Sequence, residues 1–264
     1  MLYAIIETKS GRVVKNGEQM SEIETTGVYS NKQILESIES GHIVQRPYAP
    51  ELINASSVDV RLGHHFYRTD IQGIENGDNI YNPYDKEDVD RYFGESLEAQ
   101  PLRDLGTLRN LLGGQALKNI DPEQPIILMR PHERILAHTH EFIGIRAPGT
   151  SSMQAKSTTG RNGIVVCKDA GWGDPGYIGR WTMEIQNDND EYVPLQVGMR
   201  IAQIVFYHTG EVSGNYTSLS GNYQSSDNLD ELIKTWEPEA MLPKSYKMKV
   251  QTPPTIEGLS QGLK

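Results

Sequence analysis

Apolar and polar residues take turns in short runs at 57–62, 126–129, 134–137, 142–145, 163–166, 180–186 and 201–207, with Gly, Pro, Asn and Asp between them. A period of two puts successive side chains on opposite faces of a strand, and many short strands between turn residues mark an all-β domain. The pattern predicts a mostly β fold, a barrel or sandwich of jelly-roll type. One helix precedes it. Ser30 and Gln33 have capping-box spacing, and Ile34, Leu35 and Ile38 follow at helical spacing until Gly41, which predicts a helix over 31–40.

Three stretches leave this pattern. Residues 1–29 read as a hairpin extension with a turn at Ser10, Gly11 and Arg12, which has to lean on something else to be stable. The segment 85–125 turns charged and Leu-rich, with Leu102, Leu105, Leu108, Leu111 and Leu112 compatible with one helix, and reads as an insertion on the β core. Residues 211–264 form a C-terminal tail, with a short helix over 229–236 and, from Pro238, four prolines and no periodicity, which predicts an extended or partly disordered end. The β core is thereby expected over 30–210.

Charge narrows the function classes. Twenty-five Lys and Arg against 35 Asp and Glu give a net charge of −10, which opposes a broad basic face for nucleic acid but leaves room for a small anionic ligand. Nowhere do 18 apolar residues run together, and the first residues have no basic region ahead of their apolar run, so the expectation is a cytoplasmic protein without membrane or nucleic-acid partners. A single cysteine, Cys167, removes disulfide frameworks and the His/Cys/Cys zinc centre used by many nucleobase deaminases.

Candidate chemistry lies between 156 and 187. Lys156, Ser157, Thr158 and Arg161 surround Gly160 with two cations and hydroxyls, a composition suited to phosphate oxygens, though taken alone such a loop is more often plain polar surface. Ala170, Gly171, Trp172, Gly173, Asp174, Pro175, Gly176 and Tyr177 form a glycine-rich hairpin that can approach a flat ligand closely. Glu184 shares a strand face with Thr182 and Gln186, opposite Trp181, Met183 and Ile185, and periodicity alone leaves solvent and a site equally open to it. His138 and His140 fall on one strand face as two metal ligands would, but no convincing further Glu and His complete a site, so no metal ligands are assigned.

These pieces fall in the order of the dCTP deaminase and dUTPase family, which the chain resembles over about residues 30–226 with the insertion removed. The stretch from Ser56 to Gly63 before Phe66 is similar to the family's N-terminal signature. Pro131 to Glu141 is similar to its Pro-Gly-Glu, apolar, Ala, Thr-x-Glu pattern, and Lys156 to Gly163 to its Arg-Ser-Ser-x-x-Arg-x-Gly loop. Asp174-Pro175-Gly176-Tyr177, and Gly198-Met199 leading to Gln203 and Phe206, complete the set. Glu184 stands ten residues after Asp174, where deaminases carry Glu and plain dUTPases an apolar residue. Ala170-Gly171-Trp172 ahead of Asp174 resembles the bifunctional branch, which takes dCTP through dUTP to dUMP.

The resemblance implies a distorted jelly-roll β-barrel of the dUTPase-like type with a short N-terminal helix and a mixed insertion, assembled as a homotrimer with sites shared between chains. It implies Glu184 as general acid and base without zinc, Ser157 orienting water, Arg161 fixing Glu184, and Asp174 on the 3′-hydroxyl and on the hydrolytic water. Ala170, Gly171 and Trp172 would read the pyrimidine and Tyr177 the sugar, while Lys156, Thr158, Gln203, Tyr216 and Tyr223 complete the nucleotide site with Mg²⁺ bridging the phosphates. Three positions depart from the pattern: Lys156 for Arg, Gly173 for Ile, and Asn222 for the Lys of a Lys-Tyr-Gln motif, which removes one cation from the triphosphate. A dUTP diphosphatase without deamination and a nucleotide-binding regulator without turnover are the competing readings.

Overall fold

The computed structural model of the chain describes residues 27–69, 80–111, 113, 117–167, 170–219 and 221–249. The predicted N-terminal hairpin, apart from residues 27–29, and the last 15 residues lie outside that range.

The alternation becomes strands because the apolar half of each run needs a floor. In β10 (Ile178–Asn187), Trp181, Met183 and Ile185 are at most 3% exposed while the residues between them are half-buried. Each such side chain contributes roughly 2–3 kcal/mol when removed from water, and only neighbouring strands can supply that cover. The others are β1 (Ile43–Arg46), β2 (Val58–Arg68), β3 (Leu97–Glu98), β4 (Gln100–Pro101), β5 (Pro125–Met129), β6 (Arg134–Ile145), β7 (Thr150–Ala155), β8 (Ile164–Val166), β9 (Trp172–Gly173), β11 (Val193–Gln196) and β12 (Arg200–Tyr207).

Among the described residues nine strands form one antiparallel sheet in the order β8-β10-β6-β2-β12-β7-β9, with β1 and β3 joined to β6 and β2. A second sheet runs β11-β5-β4. The large sheet curls, since β7 and β8 stand near opposite ends of the order yet are linked by one short helix, Ser157–Arg161, with Cys167 Sγ 3.0 Å from Met153 Sδ. Curling encloses the main core, where Val58, Val60, Ile143, Met183, Ile204 and Phe206 are fully buried. The expectation of a mostly β, barrel-like fold holds.

Two predicted strands, 134–137 and 142–145, are one. β6 passes through His138–Glu141 with a bulge against β10, and Thr139 fills it: its hydroxyl accepts from Trp181 N at 2.9 Å and donates to Glu141 O at 2.7 Å. The Leu-rich helix expected in the insertion is also corrected. It breaks into a 3₁₀ turn, Leu102–Asp104, and a helix, Gly106–Leu111, because Leu105 between them takes ψ 88°, outside the helical region. A helix at Lys86–Phe93, capped by Asp85 Oδ1 on Glu87 N, precedes them.

The helix expected over 229–236 runs over Leu229–Thr235, with Asn228 accepting from Asp230 N and Glu231 N. The extended end expected from Pro238 is corrected for residues 238–249. Two 3₁₀ turns, Pro238–Met241 and Ser245–Lys247, follow, and Met241 and Leu242 join Tyr67, Val89 and Leu136 in a second apolar cluster. Two adjacent apolar residues carry no period, so only the partner surface reveals them as anchors. Among the described residues no helix is long and apolar enough to cross a membrane.

Candidate active site

β10 spends its inward alternates on the core, and Trp181 is fastened there by Nε1 donating to Ile143 O at 2.9 Å. The opposite alternates, Arg180, Thr182 and Glu184, line a cavity of about 750 Å³ whose far wall is the C-terminal segment. Glu184 is half-buried, and among the described residues its carboxylate has neither hydrogen-bond nor ion-pair partner. An unpaired, partly desolvated carboxylate costs stability unless a ligand or water meets it, so its retention here points to chemistry. Its neighbour Cys167 is the reverse case: burial, with the Glu184 charge adding to it, pushes the thiol up to about 12, which leaves it protonated and unreactive at neutral pH.

Asp174, Pro175, Gly176 and Tyr177 make a tight turn in which Tyr177 N donates to Asp174 O at 2.9 Å and Gly176 takes φ +91°, a conformation that disfavours a Cβ. The turn leaves Asp174 exposed at the cavity wall, again without a side-chain partner among the described residues. Tyr177 packs edge-on against Trp181 at 5.1 Å and Tyr216 at 5.0 Å. Burial, then Tyr216, pushes its phenol above the ordinary value, so it stays a neutral packing surface. Gly173 has a steric reason: an added Cβ would meet Trp181 Cη2 at 2.5 Å and Ser151 Oγ at 2.6 Å, so the indole occupies the room that a larger residue would need. Trp172 is 62% exposed and stacks on Tyr207 at 6.2 Å.

Ala170, Trp172, Asp174, Tyr177, Glu184, Tyr216 and Tyr223 thus line one cavity. Gly171 faces away from it, its carbonyl accepting from Met153 N at 2.6 Å. The tail wall is tied to the sheet by Gln224, whose Oε1 accepts from Ile178 N at 2.8 Å, and Tyr223 N donates to Tyr216 Oη at 3.2 Å.

The other expected residues lie elsewhere on the chain. Lys156 Nζ pairs with Asp59 Oδ1 at 2.7 Å, and the buried Asp59 also accepts from Asn54 Nδ2 at 2.9 Å and Arg200 Nη1 at 3.4 Å. Gln203 Oε1 accepts from Ser57 Oγ at 2.9 Å. Ser157, Thr158 and Arg161 stand exposed on their short helix, outside the cavity lining. One chain therefore presents the expected residues as two separate groups.

His138 is a structural histidine. Its Nδ1 donates to Thr139 O at 2.8 Å and its Nε2 accepts from His65 N at 3.2 Å, which fixes the neutral tautomer and leaves no ring nitrogen for a metal. Burial lowers its pKa to about 3. Among the described residues no three His, Cys, Asp or Glu gather to cage an ion.

Arg134, Phe142, Arg180, Trp236, Lys244 and Lys247 also line the cavity and were missed by sequence reasoning. Arg180 had a signal, two residues from Thr182 and four from Glu184 on the same strand face. Its guanidinium lies between the rings of Phe142 at 5.1 Å and Trp236 at 4.5 Å. Trp236 and the two lysines had none, because nothing local in the tail says what it packs on.

A curled antiparallel sheet, the framework of a β-barrel-type protein, thus presents an unpaired carboxylate to a cavity of aromatic rings and cations, a lining whose chemistry suits a flat, anionic ligand. A family profile described as dCTP deaminase-like matches residues 28–209. The "dCTP deaminase, dUMP-forming" of Methanosphaerula palustris is 31% identical over 184 residues, covering 70% of this chain and 82% of that protein. The one from Methanopyrus kandleri is 31% identical over 208 residues, 76% and 92% of the two chains. The crystal structure of 2′-deoxycytidine 5′-triphosphate deaminase from Agrobacterium tumefaciens superposes with a TM-score of 0.49 at 16% identity, covering 70% of this chain and 49% of that one. The chain belongs to the dCTP deaminase-like family.

Proposed function

We propose that this protein deaminates dCTP and cleaves the resulting dUTP to dUMP and pyrophosphate. The observation that carries the reading is the half-buried, partnerless carboxylate of Glu184 on the wall of the cavity, ten residues beyond the turn that presents Asp174. In the first step Glu184 takes a proton from water as the water oxygen bonds to cytosine C4, and delivers it to the exocyclic nitrogen as the C4–N bond breaks and ammonia leaves. Asp174 holds the 3′-hydroxyl, and Tyr177 packs against the sugar. In the second step Asp174 orients a water for in-line attack on the α-phosphorus, a reaction that needs positioning and charge neutralisation more than covalent help. Magnesium, bound through the phosphates, would supply part of that neutralisation.

Ser157, Arg161, Lys156, Thr158 and Gln203 complete the site from a neighbouring copy in a homotrimer. Their separation from the Glu184 cavity within one chain supports that arrangement. The reading includes a cytoplasmic location, where a free thiol such as Cys167 persists. Incubating the protein separately with dCTP and dUTP and separating the products tests the assignment. Ammonia with dUMP from dCTP is expected; dUMP from dUTP alone would leave a diphosphatase, and binding without product a regulator.

A further inference from the structure

The cavity holds four cations, Arg134, Arg180, Lys244 and Lys247, against two carboxylates, Asp174 and Glu184, in a chain whose net charge is −10. The two carboxylates lie on the sheet wall and the two lysines on the tail wall. Lys244 is half-buried; its Nζ donates to Asn222 O at 3.0 Å and lies 5.0 Å from the centre of the Tyr223 ring. Its backbone N donates to Tyr223 Oη at 3.3 Å, and the buried Met241 and Leu242 anchor the chain just before it. Among the described residues neither Lys244 nor Lys247 has a carboxylate partner.

Two cations held side by side without an anion repel each other. Burial first, then the Lys247 charge, lowers the pKa of Lys244. The position also matters: Asn222 stands where the family pattern has Lys, and Lys244 returns an ammonium group to the carbonyl of that same residue from 22 positions further on. This part of the tail lies beyond residue 209, where the family match stops.

We infer that Lys244, supported by Lys247, is the residue that binds the terminal phosphates of the nucleotide, replacing in cis the cation lost at Asn222. The ligand then lies across the cavity with its base toward Glu184 and its phosphate end under the tail. The inference rests on the nucleotide reading of the cavity, but its test can fail separately.

Calorimetry with inorganic tripolyphosphate, together with KM and kcat for dCTP, is measured on the full chain and on Lys244→Gln, Lys244→Arg and Lys247→Gln. Lys244→Gln is expected to weaken tripolyphosphate binding and raise KM at least about tenfold, more than it lowers kcat, while Lys244→Arg keeps most of both and Lys247→Gln has a smaller effect. Retention by the Arg variant separates a charge role from a merely structural one. Absence of tripolyphosphate binding by the unaltered chain, or binding within twofold of it in a folded Lys244→Gln, would overturn the assignment. If tripolyphosphate binds through Lys244 but dCTP and dUTP are not turned over, the phosphate site stands and the catalytic reading falls.

Discussion

Glu184 and Asp59 are carboxylates on strands of the same sheet, and their surroundings are opposite. Asp59 is 1% exposed and saturated by Lys156, Asn54 and Arg200, whereas Glu184 is half-buried and has no partner among the described residues. The first arrangement is one a fold keeps for order: a desolvated charge whose lone pairs are met. The second is one that a fold tolerates where a proton has to move. Proximity to a family motif does not distinguish them, since Lys156 belongs to the phosphate-like loop and yet is engaged with Asp59.

The sharpest way to break this comparison is Glu184→Gln, which keeps shape and removes the base. Ammonia release from dCTP is expected to fall by about 10³-fold with dUTP cleavage still measurable, in line with the usual loss of a general acid–base group. Equal loss of both reactions would show that Glu184 and Asp174 do not divide the work. If Arg161 reaches Glu184 from a neighbouring copy, mixing Glu184→Gln chains with Arg161→Ala chains and letting them reassort restores about a quarter of the sites, since each intact site needs one unaltered contribution from each side. No recovery after confirmed exchange would count against sharing.

His138 extends the contrast to pH. Its pKa is near 3 in the folded chain, while an unfolded histidine titrates near 6.5. The unfolded state therefore binds the extra proton first. Stability is full above about pH 6.5 and is lost as the pH falls toward 3, by about 2 kcal/mol at pH 5 from this group alone. Urea unfolding at pH 7 and pH 5 should show that loss, and His138→Gln should show less of it. Gly173→Ala is the smallest change and tests the packing behind the hairpin. Its Cβ would press on Trp181, and a loss of about 1–3 kcal/mol is expected by thermal unfolding. An unchanged melting temperature would mean that the hairpin backbone yields easily.

Much of the site was legible in the sequence because β-strand alternation is a local rule. Trp181, Met183 and Ile185 face one way and Thr182 and Glu184 the other, as the period of two requires. The Asp-Pro-Gly turn is likewise local, since Pro fixes φ and Gly admits a positive φ, each within its own residue. Within one chain the loop at Lys156 stands apart from the Glu184 cavity, a separation that sequence order could not reveal because it carries no information on which edge of a curled sheet meets which.

The sequence by itself determined the β-rich class, the helix at its start, the face on which Glu184 lies and the absence of a second cysteine for zinc or disulfide. Tertiary structure alone decided that Asp59 would neutralise Lys156, that Trp181 would occupy the space behind Gly173, and that an aperiodic tail would bring Trp236, Lys244 and Lys247 over the cavity. The reason is one of range. Periodicity and turn chemistry act over a few residues, whereas the fate of a charge depends on what the fold brings beside it from 22 to 141 residues away.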